Sequence, residues 1–138
     1  MIQSDIKKIV EDLIETFLDA GKISLDLREK GLTKEIKSDN TPVSNGDLEV
    51  NKILIKRISE LTPNIPIVSE ETSENKSRDN LENFWLIDPI DGTYDYINNL
   101  DEFTINAGLI IQKKPAAGLI YAPAKNRMFY SYGDDLSF

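Results

Sequence analysis

The segment Trp85-Leu86-Ile87-Asp88-Pro89-Ile90-Asp91-Gly92-Thr93 gathers two carboxylates, a glycine and a hydroxyl at the end of an apolar run. Carboxylate oxygens are hard donors suited to Mg2+, and a helix N-terminus beside them suits a phosphate. The run itself reads as a strand buried on both faces, since no polar residue alternates through it. That strand delivers Asp88 to its carboxyl end, where Pro89 interrupts a regular ladder. Side chains three positions apart on a straight strand point to opposite sides, so a turn at Pro89-Ile90 is expected to bring Asp88 and Asp91 together. Gly92 permits close approach of the backbone to a bound group, and Asp91 is the expected N-cap of a helix opening at Thr93. The plain alternative is an ordinary Asp-Pro-x-Asp-Gly turn with no chemistry.

Acids recur in two other places. Ile67-Val68-Ser69 is a second short apolar strand that ends in Glu70-Glu71, although paired glutamates at a strand end are usually just solvated. Ser44 followed by Asp47 has the spacing of a capping box, in which Asp47 need do no more than stabilise a helix N-terminus.

Composition narrows the chemistry. The 138 residues, with 40% hydrophobic and 29% charged, match one ordinary globular domain. With no cysteine and no histidine, disulfides, thiolate metal sites and Ser-His or Cys-His catalysis are excluded. Acid–base work then falls to carboxylates, hydroxyls, lysines or water. The absence of cysteine is compatible with a reducing, cytoplasmic setting. No run has the length of a membrane span, and no basic-then-apolar signal segment opens the chain. A net charge of -8 argues against binding a nucleic-acid polymer and would repel a phosphorylated small molecule unless cations reverse the local field.

The elements that must position these residues follow from periodicity. Ile6, Ile9, Val10, Leu13, Ile14, Phe17 and Leu18 predict an amphipathic helix running to about Lys30, with Gly31 as its C-cap. Residues 33–37 predict a short strand, and residues 37–47 a polar loop. Leu48, Asn51, Leu54, Ile55, Ile58 and Leu61 give a second helix its inner face. Residues 72–83 read as a polar surface loop. After a short helix or turn over residues 94–100, strands are expected at 103–111, 116–121 and 128–132, the first two joined by a hairpin at Gln112-Lys113-Lys114-Pro115. The result is one α+β unit.

Asp88-Pro89-Ile90-Asp91-Gly92-Thr93, preceded by Phe84-Trp85-Leu86-Ile87 and by Ser69-Glu70-Glu71, resembles the lithium-sensitive, magnesium-dependent phosphomonoesterases typified by inositol monophosphatase. Lys37-Ser38-Asp39-Asn40-Thr41-Pro42-Val43 with Asp47, Glu102-Phe103-Thr104-Ile105-Asn106 and Gly118-Leu119-Ile120-Tyr121-Ala122-Pro123 are more specifically similar to the bacterial 3′(2′),5′-bisphosphate nucleotidase branch. The resemblance implies a layered α/β sandwich, two long helices packed on a mostly antiparallel sheet. Residues 1–138 would be its N-terminal, metal-binding subdomain, with the C-terminal subdomain beyond the chain.

It further implies Glu70, Asp88, the Ile90 carbonyl and Asp91 as ligands of two or three Mg2+ ions, with Asp88 bridging two. Asp47, Thr93 and Glu70 would be catalytic, with Thr93 and Asp47 activating water. Glu70, Ile90, Asp91, Gly92 and Thr93 would bind a small phosphorylated nucleotide or sugar. The implied reaction is removal of the 3′-phosphate of 3′-phosphoadenosine 5′-phosphate to give AMP. Tyr94-Asp95-Tyr96 stands where that branch has a Lys-Glu-Phe-like continuation, so the substrate stays open, with an inositol phosphate as the near alternative. A reading of another class is a catalytically incomplete fragment, or an interaction subunit forming a homodimer through its sheet.

Overall fold

The first helix, α1, spans Gln3–Lys30 in the computed structural model, which describes residues 3–36, 42–69 and 81–132. Ile6, Val10, Leu13, Phe17 and Ala20 recur at alternating steps of four and three, and all are buried. They form the single stripe that a 3.6-residue period allows. Leu18, expected on that stripe, is turned out and 43% exposed, because it follows Phe17 by about 100° around the axis. Gly31 closes the helix in the left-handed region, as expected.

The second helix, α2 (Asn45–Leu61), opens with the expected capping box between Ser44 and Asp47. Its buried positions are Gly46, Asp47, Val50, Asn51, Leu54 and Ile58, whereas Leu48 is 45% exposed. Burying Asp47 in the first turn fixes the rotation of the helix. Positions three, four, seven and eleven further on then face inward, so Val50 takes the place expected of Leu48.

Ahead of α2, β1 (Lys34–Ile36) pairs antiparallel with β2 (Pro42–Ser44). The sequence had suggested only a loop across β2. Its extended state comes from pairing with a strand on the far side of residues 37–41, which lie outside the described residues. Asn45 anchors this ribbon: its N–H donates to the Thr33 carbonyl, and its Oδ1 accepts from the Thr33 N–H, both at 3.0 Å.

The main sheet takes its five strands in chain order: β3 (Ile67–Ser69), β4 (Phe84–Asp91), β5 (Thr104–Ile111), β6 (Lys114–Ala122) and β7 (Arg127–Tyr132). Only the β3–β4 pair is parallel. Gln112 and Lys113 both take positive φ between β5 and β6, the two-residue turn whose twist matches its strands. The α1 helix packs on β6 and β7, α2 packs on β3 and β4, and the two helices pack on each other. One face of a mostly antiparallel sheet is thus covered by two long helices, as the sequence implied.

The other face is not covered in the same way. Along β4, Trp85 and Ile87 enter the core, while Leu86 is 38% exposed. Leu86, Ile120 and Phe129, with Gly108 and Gly118 between them, line an open groove that ends at Asp88 and Asn106. Burial of β4 on both faces is therefore corrected, because both long helices lie on one side. No helix among the described residues is long and apolar enough to cross a membrane.

The core contains a polar anchor where the end of α2 meets the start of β4. Thr62 Oγ accepts a hydrogen bond from the Trp85 indole Nε1 at 3.0 Å and donates to the Ile58 carbonyl at 2.8 Å. Trp85 is fully buried. Thr62→Val keeps the shape and orphans the indole N–H, a loss of about 1–3 kcal/mol. A lower midpoint in urea unfolding is the expected result, and an unchanged midpoint would assign Trp85's role to packing alone.

Candidate active site

The chemistry-bearing end of the sheet is shaped by one extra residue. Asp88 lies opposite Asn106 and Asp91 opposite Thr104, so three steps on β4 match two on β5. That count defines a β-bulge. Asn106 and Thr104 lie two apart and share a face, so Asp88 and Asp91 share it as well. Ile87 and Ile90, equally spaced, both turn into the core at 1% and 2% exposure. The two acids reach one side as expected, through a bulge rather than a turn. Pro89 suits the bulge, since it has no N–H to lose from the ladder.

The expected cap is corrected too. Asp91 still pairs with Thr104 in the ladder and cannot fold back over the next helix. Gly92 is the N-cap of α3 (Thr93–Ile97), at φ 91° and with no side-chain cap bond. That left-handed backbone excludes ordinary side chains, and a Cβ there would approach the Glu102 carbonyl to 3.4 Å.

Thr93 and Asp47 meet although 46 positions separate them. Thr93 Oγ donates to Asp47 Oδ1 at 2.8 Å, with the Ile90 carbonyl as a second acceptor at 3.2 Å. The other carboxylate oxygen of Asp47 accepts from the Ser44 N–H at 2.9 Å and from the Ser44 hydroxyl. Asp47 is fully buried. A buried carboxylate needs such donors to offset its lost hydration. Its contact with Thr93 exceeds what a helix cap requires. Since the single Thr93 proton points at Asp47, the hydroxyl oxygen keeps lone pairs free to accept from a water.

Tyr96 holds α3 against both helices. Its hydroxyl donates to the Ser24 carbonyl of α1 at 2.7 Å, and its ring meets Phe103 at a centroid distance of 4.8 Å. Burial, then the Asp47 carboxylate, pushes the Tyr96 phenol far above its usual range against a smaller pull from Arg28. It therefore remains a donor at any working pH. Arg28 lies over both rings and caps the loop beyond α3 through the Leu100 carbonyl and Asp101.

Asn106 completes the described site. Its Nδ2 donates to Asp91 Oδ2 at 3.2 Å, while its Oδ1 is buried and meets no donor. Neither Asn106 nor Tyr96 was assigned a role from the sequence. The available signal for Asn106 was an amide inside a largely apolar strand; for Tyr96 there was none, because the partner of its hydroxyl lies in a distant helix.

Of the expected ligands, Asp88, the Ile90 carbonyl and Asp91 fall on the bulged end of β4, and Asp47 with Thr93 sits beside them. Glu70 lies outside the described residues. Its neighbour Ser69 is tied to α2 by a hydrogen bond to Asn51 Oδ1. Among the described residues, no three acids cluster closely enough to hold a metal ion.

The chain is 37% identical over 117 residues to the 3′(2′),5′-bisphosphate nucleotidase CysQ of Haemophilus influenzae, covering 83% of this chain and 44% of that protein. The chain thus spans about half the length of the curated relatives it matches. Among solved structures, the extragenic suppressor protein suhB of Bartonella henselae superposes with a TM-score of 0.84 at 22% identity, over 95% of this chain and 51% of that one. CysQ of Bacteroides thetaiotaomicron, described as a bacterial member of the inositol monophosphatase family, gives 0.72 at 27% identity, over 96% and 48%. Matched by the family's sequence profile across residues 5–135, the chain belongs to the inositol monophosphatase family.

Proposed function

We propose that this chain supplies the cation- and phosphate-binding half of a cytoplasmic, Mg2+-dependent phosphomonoesterase that removes the 3′-phosphate of 3′-phosphoadenosine 5′-phosphate. The observation that carries the reading is the partly buried Thr93–Asp47 hydrogen bond beside the bulge that puts Asp88 and Asp91 on one face. Identity to nucleotidases of the CysQ type supports the substrate class.

The residues present fit a hard divalent cation. Every candidate donor is a carboxylate or carbonyl oxygen, and the chain has no histidine or cysteine to favour a softer metal. The bound cation would offset the phosphate's charge and that of the leaving oxygen. With its net charge of -8, this chain would otherwise repel a dianionic substrate. Asp88, Asp91, the Ile90 carbonyl and Glu70 would hold it.

The chain's own groups do the rest. Thr93 Oγ accepts a hydrogen bond from the attacking water and orients it. As the water is deprotonated, its proton passes to Thr93 and the Thr93 proton to Asp47, so charge moves inward to a carboxylate already held by Ser44. The backbone amides of Gly92 and Thr93 hold the phosphate. Phosphoryl transfer depends chiefly on positioning and charge stabilisation, so this set needs no imidazole.

The test compares phosphate release from 3′-phosphoadenosine 5′-phosphate and from inositol 1-phosphate, each with Mg2+ and with EDTA. At least about tenfold preference for the nucleotide, about 1.4 kcal/mol of transition-state discrimination, is expected, together with loss of release in EDTA. Preference for the inositol phosphate would reassign the substrate, and release that survives EDTA would remove the cation from the reaction.

A further inference from the structure

We propose that Asn106 is a positioning residue of the cation site, fixing Asp91 through its amide nitrogen and accepting through its amide oxygen from the cation's hydration shell. This rests on the divalent-cation reading above and adds a residue to it.

The orientation of the amide is dictated by its neighbour. Asn106 Nδ2 donates to Asp91 Oδ2 at 3.2 Å. Flipping the amide would set its oxygen against a carboxylate, acceptor against acceptor. Asp91 therefore forces Oδ1 to the other side, where it is buried and meets no donor. An orphaned buried acceptor lowers stability, and a fold tolerates one where a ligand supplies the missing donor.

Position says which ligand. Asn106 is the ladder partner of Asp88, and the two side chains share the end of the groove. One residue thus bridges both aspartates of the bulge: it faces Asp88 across the ladder and bonds Asp91. Mg2+ parts with its waters reluctantly, and those waters are strong donors with no lone pair to spare for a donor side chain. A carbonyl oxygen is the partner they require. The side chains of Leu86 and Ile120, which share the groove, have none to offer.

The expected consequence is a split between stability and binding. In Asn106→Leu the orphaned acceptor is gone, so the unfolding temperature of the cation-free protein is expected to stay level or rise. Affinity for Mn2+, followed by the loss of its free electron-spin-resonance signal, is expected to fall 10- to 100-fold, as when a partner of a metal ligand is removed. Asn106→Ala is expected to behave alike in binding. Unchanged Mn2+ affinity in both variants overturns the proposal, as does a clear drop in the cation-free unfolding temperature of Asn106→Leu, which would mark a structural residue. Asp91→Asn measured alongside separates the two levels. If it loses Mn2+ while the Asn106 variants keep it, only the role of Asn106 fails. If the unsubstituted chain takes up no Mn2+, the cation reading falls and the role of Asn106 falls with it.

Discussion

Asp91→Asn is expected to abolish phosphate release, by a factor of a thousand or more, while leaving the protein folded. The two halves of that expectation come from different properties of one side chain. Asp91 is solvent-exposed at the end of β4, and its one described side-chain hydrogen bond is the one it accepts from Asn106. An asparagine there keeps volume and backbone, and its amide oxygen can still accept from Asn106 Nδ2. The β4–β5 pairing that sets Asp91 against Thr104 is a main-chain feature and is untouched. Little stability is at stake, as is usual for exposed positions away from core and caps.

Charge is another matter. A neutral amide oxygen is a far weaker partner for a divalent cation than a carboxylate. Even at an effective dielectric near 20, one unit charge at ~4 Å from another is worth roughly 4 kcal/mol, and a divalent ion doubles that. Differences of this size correspond to about a thousandfold or more in occupancy or rate. Circular dichroism and the unfolding midpoint should match the unsubstituted protein, with phosphate release reduced to background. Full release from Asp91→Asn at saturating Mg2+ would show that this carboxylate is no ligand.

Local signals in the sequence carried much of the fold. The steps of three and four from Ile6 to Phe17 were enough for α1, because a stripe of that period has only one way to be buried. Ser44 and Asp47 announced the start of α2, and the turn between β5 and β6 fell within the hairpin expected there. What escaped was set by contacts between distant segments. The extended state of β2 depends on pairing with β1. Exposure of Leu86 depends on which face the helices choose, which an unbroken apolar run does not encode. The bulge at Pro89 was read as a turn, because its identity lies in the register against Asn106 and Thr104.

The same division holds for the site. Asp88, Ile90, Asp91, Gly92 and Thr93 are adjacent in the chain and could be read as a unit. From its spacing Asp47 could be read only as a cap; its pairing with Thr93 came from the family resemblance, and the bond closes only when α2 and α3 pack. Asn106 had its polarity to betray it, whereas its orphaned oxygen is a property of the assembled sheet. The chemistry of a single strand end is therefore half a site; the other half is contributed by helix packing.

That packing passes through a glycine with no room for a methyl group, and Gly46→Ala is expected to be the most disruptive single-methyl change in the described structure. A Cβ at Gly46 would lie 2.1 Å from the Tyr96 hydroxyl, 2.6 Å from Cε2 and 2.7 Å from Cζ. Real atoms do not approach so closely, so something must move. The ring has little freedom to do so: Tyr96 is fully buried, packed on Phe103 and bonded to the Ser24 carbonyl. Overpacking of this kind costs about 3 kcal/mol or more, a fall of roughly 10 °C or more in unfolding temperature for a chain of this size.

The displacement also has a direction. Gly46 precedes Asp47 in α2, and Tyr96 lies three residues past Thr93 in α3, so pushing the pair apart lengthens the Thr93–Asp47 hydrogen bond. Stability and phosphate release should fall together. A double-substitution series identifies the cause. Tyr96→Phe removes only the hydroxyl and leaves the Cε2 and Cζ contacts, so it should rescue Gly46→Ala little. Tyr96→Leu removes the ring edge and should recover part of the loss, a favourable coupling between sites in contact. Strict additivity of Gly46→Ala and Tyr96→Leu would mean that the two residues do not meet, and the helix junction would have to be held together by something else.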